Sequence, residues 1–572
     1  MRGGALPSLP LRLVRRLGSA DGVLALILLL VIGIFAALPV GRLIATSIAP
    51  GGVLDLPAFV DHLARPSVLR ATLHTLDTAV FGALVAFVIG SAFALATALT
   101  DLPGRKALSF LILLPLVVAP QVTALAWLQL VGPSSVLLNA IGLAPPAGTP
   151  NPLHGRMGII LLYGIQNAPI VFVTVRAGLV GLPRDLIEAA RMSGSSALRS
   201  LLTVALPLAR PYLVAALALA FVAGVGNFGI AALAGIPANY MTLTTLIYQR
   251  LASFGPDVLP EVAALSVLVG ALALAGLGLQ GLALGRRGHR YAPGSPTRLA
   301  LGAWRWPLAA LAWFAIIIML VMPALALLST SLVPAFGVPL SLHTATSVNF
   351  AEILVRQAST VRAFANSFML AGGAGLILGF MAIPLAWSLT RRHWMARHLL
   401  SSVAELPYAL PGVVIGIACI LIFLRPMPLI GSLYGTMWII LAAYLMRFLA
   451  LALRPVGAAM GQIPGELDEA AAMSGASTAY RLRTITAPMA APAAAAGMLL
   501  VFLTAFNELT VSALLWSGGH ETLGVVLFSL EEAGLGTQAA AIGVVTIVVV
   551  IVLLAVLDRL GRRLPAGVLP WR

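Results

Sequence analysis

Seven polar side chains stand inside long apolar runs or at their ends, and their types could bind a solute: Gln166, Asn227, Glu405, Tyr408, Arg447, Asn507 and Glu508. Polar and ionisable groups at membrane depth are costly, so they are the first places to look for a path through a bilayer. Carboxylate and phenolate oxygens suit a hard cation, which makes Glu405, Tyr408 and Glu508 reasonable contacts for such an ion. The same groups could instead hold helices together by hydrogen bonds. Gln166 and Arg447 share a register, each three residues after a tyrosine (Tyr163, Tyr444) and 281 residues apart. Arg447 is either a path contact or a cation snorkelling to the nearer membrane face, about eight residues (~12 Å) away. In the stretch ELPYALPG, Pro407 and Pro411 would free backbone carbonyls beside a cavity.

Other chemistries are excluded by residue usage. Cys419 is the sole cysteine, so a disulfide framework, a thiolate metal site or a CxxC redox pair is impossible. Of eight histidines only His74 falls near an apolar run, which argues against a histidine metal cage. A phosphate loop needs a lysine that reaches the β- and γ-phosphates, and the sole lysine, Lys106 in LPGRKALS, has no such frame around it. The chain is therefore expected not to be an ATPase or another enzyme, and to bind no cofactor of its own. Neither HExxH nor GxSxG occurs.

The elements that must position these groups are membrane helices. Mean hydropathy is +1.02, and runs of about twenty apolar residues match the thickness of a bilayer. Spans are expected near 22–46, 75–100, 107–131, 157–180, 212–235 and 262–285, then near 303–330, 363–390, 399–424, 432–455, 493–516 and 537–558. The fold class is thus all-α integral membrane, with about twelve transmembrane helices in two parallel six-helix repeats. The net charge of +16 is parcelled into arginine clusters between the spans, among them Arg286, Arg287 and Arg290, and Arg391 and Arg392. By the positive-inside rule these clusters and both termini are cytoplasmic. The expected organisation is a cytoplasmic tail 1–20, a first repeat 21–285, a linker 286–302, a second repeat 303–558 and a cytoplasmic tail 559–572. The first apolar stretch is too long for a signal-peptide core and reads as a retained helix. No partner nucleic acid is implied, and membrane lipid surrounds the spans.

One polar device occurs twice. EAARMSG at Glu188 to Gly194 returns as EAAAMSG at Glu469 to Gly475, inside loops 182–211 and 463–492. Pro183 and Pro464 suit a first helical position, Asp185 and Glu466 the first turn, and Gly194 and Gly475 a left-handed stop. Ser196 and Ser477 suit the N-cap of a second, short helix ending near Pro207 and Pro488. Each loop thus reads as helix, sharp turn, helix on the cytoplasmic surface, with small alanines leaving room for a partner.

The two loops resemble the mark of the permease subunits of importer-type ABC transporters: EAA, three residues, Gly, nine residues, an aliphatic residue, one more, then Leu-Pro. Glu188, Ala189, Ala190, Gly194, Val204, Leu206 and Pro207 match throughout. Glu469, Ala470, Ala471, Gly475, Ile485 and Pro488 match with Ala487 in place of leucine. The double-length layout is similar to fused ferric-iron permeases, with thiamine permeases as relatives. That resemblance implies a type I importer fold, with coupling to ATPase subunits through Glu188, Ala189, Ala190 and Gly194 and through Glu469, Ala470, Ala471 and Gly475. It also implies two copies of a separate ABC ATPase that uses ATP and Mg, a periplasmic substrate-binding protein, and a place in a bacterial inner membrane. The cargo so implied is ferric iron, with thiamine or another small solute as the alternative. Loops such as Ile236 to Glu261 are candidate docking surfaces for the binding protein. An ion-coupled secondary transporter is the competing class, but such proteins favour inverted repeats and charge relays that this pattern lacks.

Overall fold

The computed structural model describes residues 20–561 apart from 183, 254, 256, 286–299, 392–396 and 427–430. Pro183, most of the expected linker and nearly all of both expected tails lie outside the described residues.

Helices account for most of the described residues, and among them eleven are long and apolar enough to cross a membrane, or up to thirteen if each bent pair counts as one span. In the first half these are α1 (Leu26–Ile48), α2 (Pro66–Leu99), α3 (Pro120–Ala140) and α4 (Arg156–Val180). The first polar loop helix α5 (Arg184–Met192) follows, then α6 (Leu201–Val225), the bent pair α7 (Gly229–Ala238) and α8 (Leu243–Leu251), and α9 (Val258–Gly285). The second half runs α10 (Gly302–Ser331), α11 (Ala358–Thr390), the bent pair α12 (Leu400–Ala409) and α13 (Gly412–Phe423), and α14 (Met437–Gln462). It ends with the second loop helix α15 (Gly465–Met473), α16 (Thr478–Phe506), α17 (Leu523–Glu532) and α18 (Gly536–Val556).

Four expected spans are broken where they were read as continuous. The third divides into short helices at Arg105–Leu111 and Leu114–Val117 before α3 begins. The cause is local: a proline pushes its predecessor out of the helical region, and Ala119 before Pro120 sits at φ −58°, ψ 135°. The ninth bends by 104° between α12 and α13, with Pro411 extended at ψ 145°. The fifth stops at Val225 and continues as the α7–α8 pair, bent by 79°. The eleventh stops at Phe506 instead of near 516. Hydropathy windows see apolar composition and are blind to such breaks, because the bent segments are as greasy as the straight ones. The α7–α8 pair also narrows the expected docking surface: residues 242–247 are buried, and exposure is confined to the two ends of the 236–261 segment.

Each half is built on three mutually packed helices, α2, α4 and α6 in the first and α11, α14 and α16 in the second. The halves exchange their leading elements: α1 packs on α13, and α10 packs on α3. Lipid tails give no hydrophobic drive between helices, so close approach through small residues supplies the packing. Gly90 shows the tolerance, since a Cβ there would lie 2.5 Å from the Ala168 carbonyl oxygen and 2.9 Å from the Phe172 nitrogen. Gly375 plays the same part in the second half, 2.9 Å from the Met498 carbonyl oxygen.

Replacing Gly90 with leucine forces α2 and α4 apart against backbone atoms. The expected outcome is a loss of about 1–3 kcal/mol or more of stability, read as a lowered unfolding midpoint of the detergent-purified protein, whereas Leu73→Ala on the exposed side of α2 leaves it nearly unchanged.

Candidate functional site

Where α6 and α16 end, the chain turns inward, and there the two halves enclose a cavity of about 1090 Å³. All seven polar residues singled out above line it: Gln166, Asn227, Glu405, Tyr408, Arg447, Asn507 and Glu508. Asn227 follows the last turn of α6, and its Oδ1 accepts from the Ile230 N–H at 3.0 Å, starting α7. Its carbonyl accepts from the Tyr163 hydroxyl at 3.1 Å. Asn507 follows α16 in the same way, and its Nδ2 donates across the halves to the Val117 carbonyl at 3.0 Å and within its own helix to Leu503 at 3.0 Å. Gln121 Nε2 returns the crossing to the Asn507 carbonyl at 3.2 Å.

The helix breaks are what these side chains answer. The break before Pro120 releases the Pro115 and Val118 carbonyls from helical bonding, and Gln166 Nε2 donates to both, at 2.7 and 3.4 Å. Unpaired carbonyls at membrane depth would cost several kcal/mol each, so an amide from α4 is a structural requirement there. Beyond Phe506 the equivalent role belongs to Glu508, whose Oε1 accepts from the Val511 N–H at 2.9 Å. The same oxygen accepts from Arg447 Nη1 at 2.7 Å. Arg447 therefore does not snorkel. Its guanidinium lies 5.6 Å from the Phe448 ring centroid and fills the space beside Gly412, where a Cβ would fall 1.8 Å from Nη1.

A second ion pair stands nearer the mouth. Arg454 Nη2 lies 3.5 Å from Glu405 Oε2, with its guanidinium 4.8 Å from the Tyr408 ring centroid. Side-chain exposure rises from 8% at Glu508 and 19% at Arg447 to 51% at Arg454 and 56% at Glu405. The cavity thus opens towards the end of the bundle that carries the α5 and α15 loops. Outside the cavity lining the halves also meet through aromatic rings: Phe228 and Phe528 approach to 5.9 Å between centroids, and Tyr248 and Phe528 to 6.0 Å.

Composition did not reveal that each carboxylate has an arginine partner, which changes the reading of Glu405 and Glu508 as free oxygen donors. Arg454, Gln121 and Asn167 also line the cavity and were missed. Arg454 had a signal, lying seven residues after Arg447 and hence two turns along the same helix face. Among the described residues no three His, Cys, Asp or Glu side chains converge as a metal site.

The two loops match position by position. Glu188 and Glu469, Ala189 and Ala470, and Gly194 and Gly475 are exposed, while Ala190 and Ala471 are half-buried. Met192 and Met473 are each 89% exposed, an unusual state for methionine. Gly194 and Gly475 adopt the left-handed turn at φ +82° and +80°, and Ser196 and Ser477 cap the next helix, accepting from the Arg199 and Tyr480 N–H groups at 3.3 Å. Pro464 is the cap rather than the first helical residue of α15. The second helix of each loop is not short. It passes through a π-helical turn, at Leu201–Ala205 and Leu482–Thr486, straight into α6 and α16. Among the described residues, the second loop has an internal ion pair, Asp468 to Arg481 at 2.8 Å; at those positions the first loop has Ile187 and Ser200.

Comparison with known proteins places these features. The family described as "Binding-protein-dependent transport system inner membrane component" matches residues 22–287 and 373–569. A probable ABC transporter permease protein of Sinorhizobium fredii is 27% identical over 533 residues, covering 91% of this chain and 92% of that protein. A putative ferric transport system permease protein of Haemophilus influenzae is 24% identical over 501 residues, covering 86% and 77%. A putative 2-aminoethylphosphonate transport system permease protein of Salmonella paratyphi A is 31% identical over 165 residues, covering 29% and 61%.

Removing one member of the deep ion pair leaves its partner buried and uncompensated. Arg447→Gln is expected to cost about 3 kcal/mol or more, read as a lowered unfolding midpoint. Arg447→Gln combined with Glu508→Gln recovers most of the loss, because the amide oxygen introduced at position 508 still accepts from the Val511 N–H.

Proposed function

Since the chain belongs to the binding-protein-dependent transport system inner membrane components, as a fused double-length permease of an ABC transporter, we propose that it moves ferric iron, delivered by a periplasmic binding protein, into the cytoplasm. The multi-pass, two-repeat helical architecture is that of a type I importer permease. In this reading both termini and both polar loops face the cytoplasm, and two copies of a separate ATPase subunit, supplied with ATP and Mg, dock under α5 and α15. Glu188, Ala189, Ala190 and Gly194 form one contact, and Glu469, Ala470, Ala471 and Gly475 the other. The similarity to a putative ferric transport system permease, over 86% of this chain and 77% of that protein, supports the choice of cargo.

One observation carries the mechanism. Each loop runs without interruption through a π turn into the helix whose far end, at Asn227 or at Asn507 and Glu508, forms the closed end of the cavity. A helix of 29 residues such as α16 is a lever of about 43 Å. Movement of a docked ATPase dimer is thereby transmitted to the contacts that join the halves. The exposed Met192 and Met473 supply adaptable apolar surface at each docking point. ATP-driven closure of the partner draws α5 and α15 together, parts Gln121 from Asn507 and Phe228 from Phe528, and opens the cavity to the opposite face. Hydrolysis and product release restore the closed end. By linkage, a loaded binding protein on the far side must favour the same outward-open state.

The test is reconstitution in liposomes with the cognate ATPase and binding protein. Glu188→Lys combined with Glu469→Lys is expected to lower ATPase binding and transport by about ten-fold or more; undiminished transport and partner binding would remove the loops from the mechanism.

A further inference from the structure

Arg447 is a guanidinium with most of its capacity unused. One of its five N–H donors goes to Glu508; the rest have no partner among the described residues, and the side chain lines the cavity. We propose that Arg447 is the seat of an oxyanion, so that the solute in this cavity presents a phosphate-type or carboxylate group, free or as the anionic shell of a chelated metal ion. This rests on the permease reading above and specifies the chemistry of its path.

Three features of the site support the assignment. The guanidinium is held at one edge by a carboxylate that is itself fixed, because Glu508 Oε1 also accepts from the Val511 N–H. The free edge is thus presented in a set geometry, suited to the bidentate bonding that guanidinium offers to carboxylate or phosphate. Next, Arg454 lies two turns along α14, about 10.5 Å nearer the mouth, again with a carboxylate beside it. An anion leaving Arg447 therefore meets a second cation, and neither arginine is left unpaired when the anion departs. The opposite wall is neutral at the equivalent positions: Gln166 stands for Arg447 and Asn227 for Glu508.

Unsatisfied amides provide an independent sign of a ligand. Gln166, 7% exposed, and Asn167, 3% exposed, line the same cavity. Gln166 Oε1, Asn167 Nδ2 and Asn507 Oδ1 are buried without a hydrogen-bond partner. Gln166 and Asn507 each direct their amide nitrogen at two backbone carbonyls, so the oxygen is turned away from those carbonyls. A ligand O–H or N–H would satisfy the Gln166 and Asn507 oxygens, and an oxyanion oxygen would accept from Asn167 Nδ2. A bare trivalent cation fits poorly, since Glu508 and Glu405 are each paired with arginine and Tyr408 lies under Arg454.

Equilibrium dialysis of the detergent-purified permease with its ATPase, without nucleotide, tests the seat with radiolabelled inorganic phosphate, citrate and ferric citrate. Saturable binding is expected, weakened about ten-fold or more in Arg447→Gln combined with Glu508→Gln. It is also expected to weaken in Gly412→Ala, which displaces the guanidinium while keeping its charge. Binding of phosphate or free citrate identifies the free oxyanion as the ligand, and binding of ferric citrate alone identifies the chelate; either supports the seat. No saturable binding of any probe, or unchanged affinity in both variants, overturns it. Because nucleotide is absent, Glu188→Lys combined with Glu469→Lys should bind the probes normally, so failure of ATP coupling and failure of the seat give different results.

Discussion

A backbone that leaves the helix inside a membrane must find partners for its freed N–H and C=O groups, and the interior of this protein is arranged around that requirement. The break before Pro120 is answered by the Gln166 amide, the end of α6 by Asn227 and the end of α16 by Asn507 and Glu508. Because those breaks face one another across the two halves, the side chains that satisfy them also line the cavity. The polar wall of the path is thus a consequence of the helix breaks, and Arg447 follows from it: a buried Glu508 at the start of a turn requires a cation, and Gly412 leaves the space for one.

The two halves solve the same problem with different chemistry. At positions related by the internal repeat, the first half has Gln166 and Asn227 where the second has Arg447 and Glu508. The charged pair therefore sits on one wall only, and the exposure gradient from Glu508 to Glu405 runs along that wall towards the loop end of the bundle. The asymmetry extends to the loops, where Arg481 ties Asp468 into the second one and lies 6.0 Å from the Trp387 ring centroid on α11. The first loop has Ile187 and Ser200 there and lacks that tie. Duplication preserved the backbone device, with its left-handed glycine and serine cap, while the side chains around it diverged.

The local signals were legible because they depend on backbone conformation close in sequence. A left-handed stop at Gly194 and Gly475 and caps at Ser196 and Ser477 are decided within a few residues, and the structure has them where spacing places them. The π turns that carry each loop into α6 and α16 were not legible, since a proline at Pro207 or Pro488 reads as a stop when it can equally begin the next helix. Nor were the bends at α7–α8 and α12–α13, whose residues are apolar on both sides of the break.

By itself the amino-acid sequence determined that this is a membrane protein of two repeats, with one exposed polar loop in each and a short set of intramembrane polar residues. Those properties follow from hydropathy, internal identity and the cost of polar atoms in lipid, all of which act on single residues or short windows. Tertiary structure alone decided that the seven residues share one cavity, that Arg447 meets Glu508 and Arg454 meets Glu405, and that Phe228 packs near Phe528 across the halves. These are relations between segments tens to hundreds of residues apart, and the helix breaks that bring them together are set by how the two halves pack.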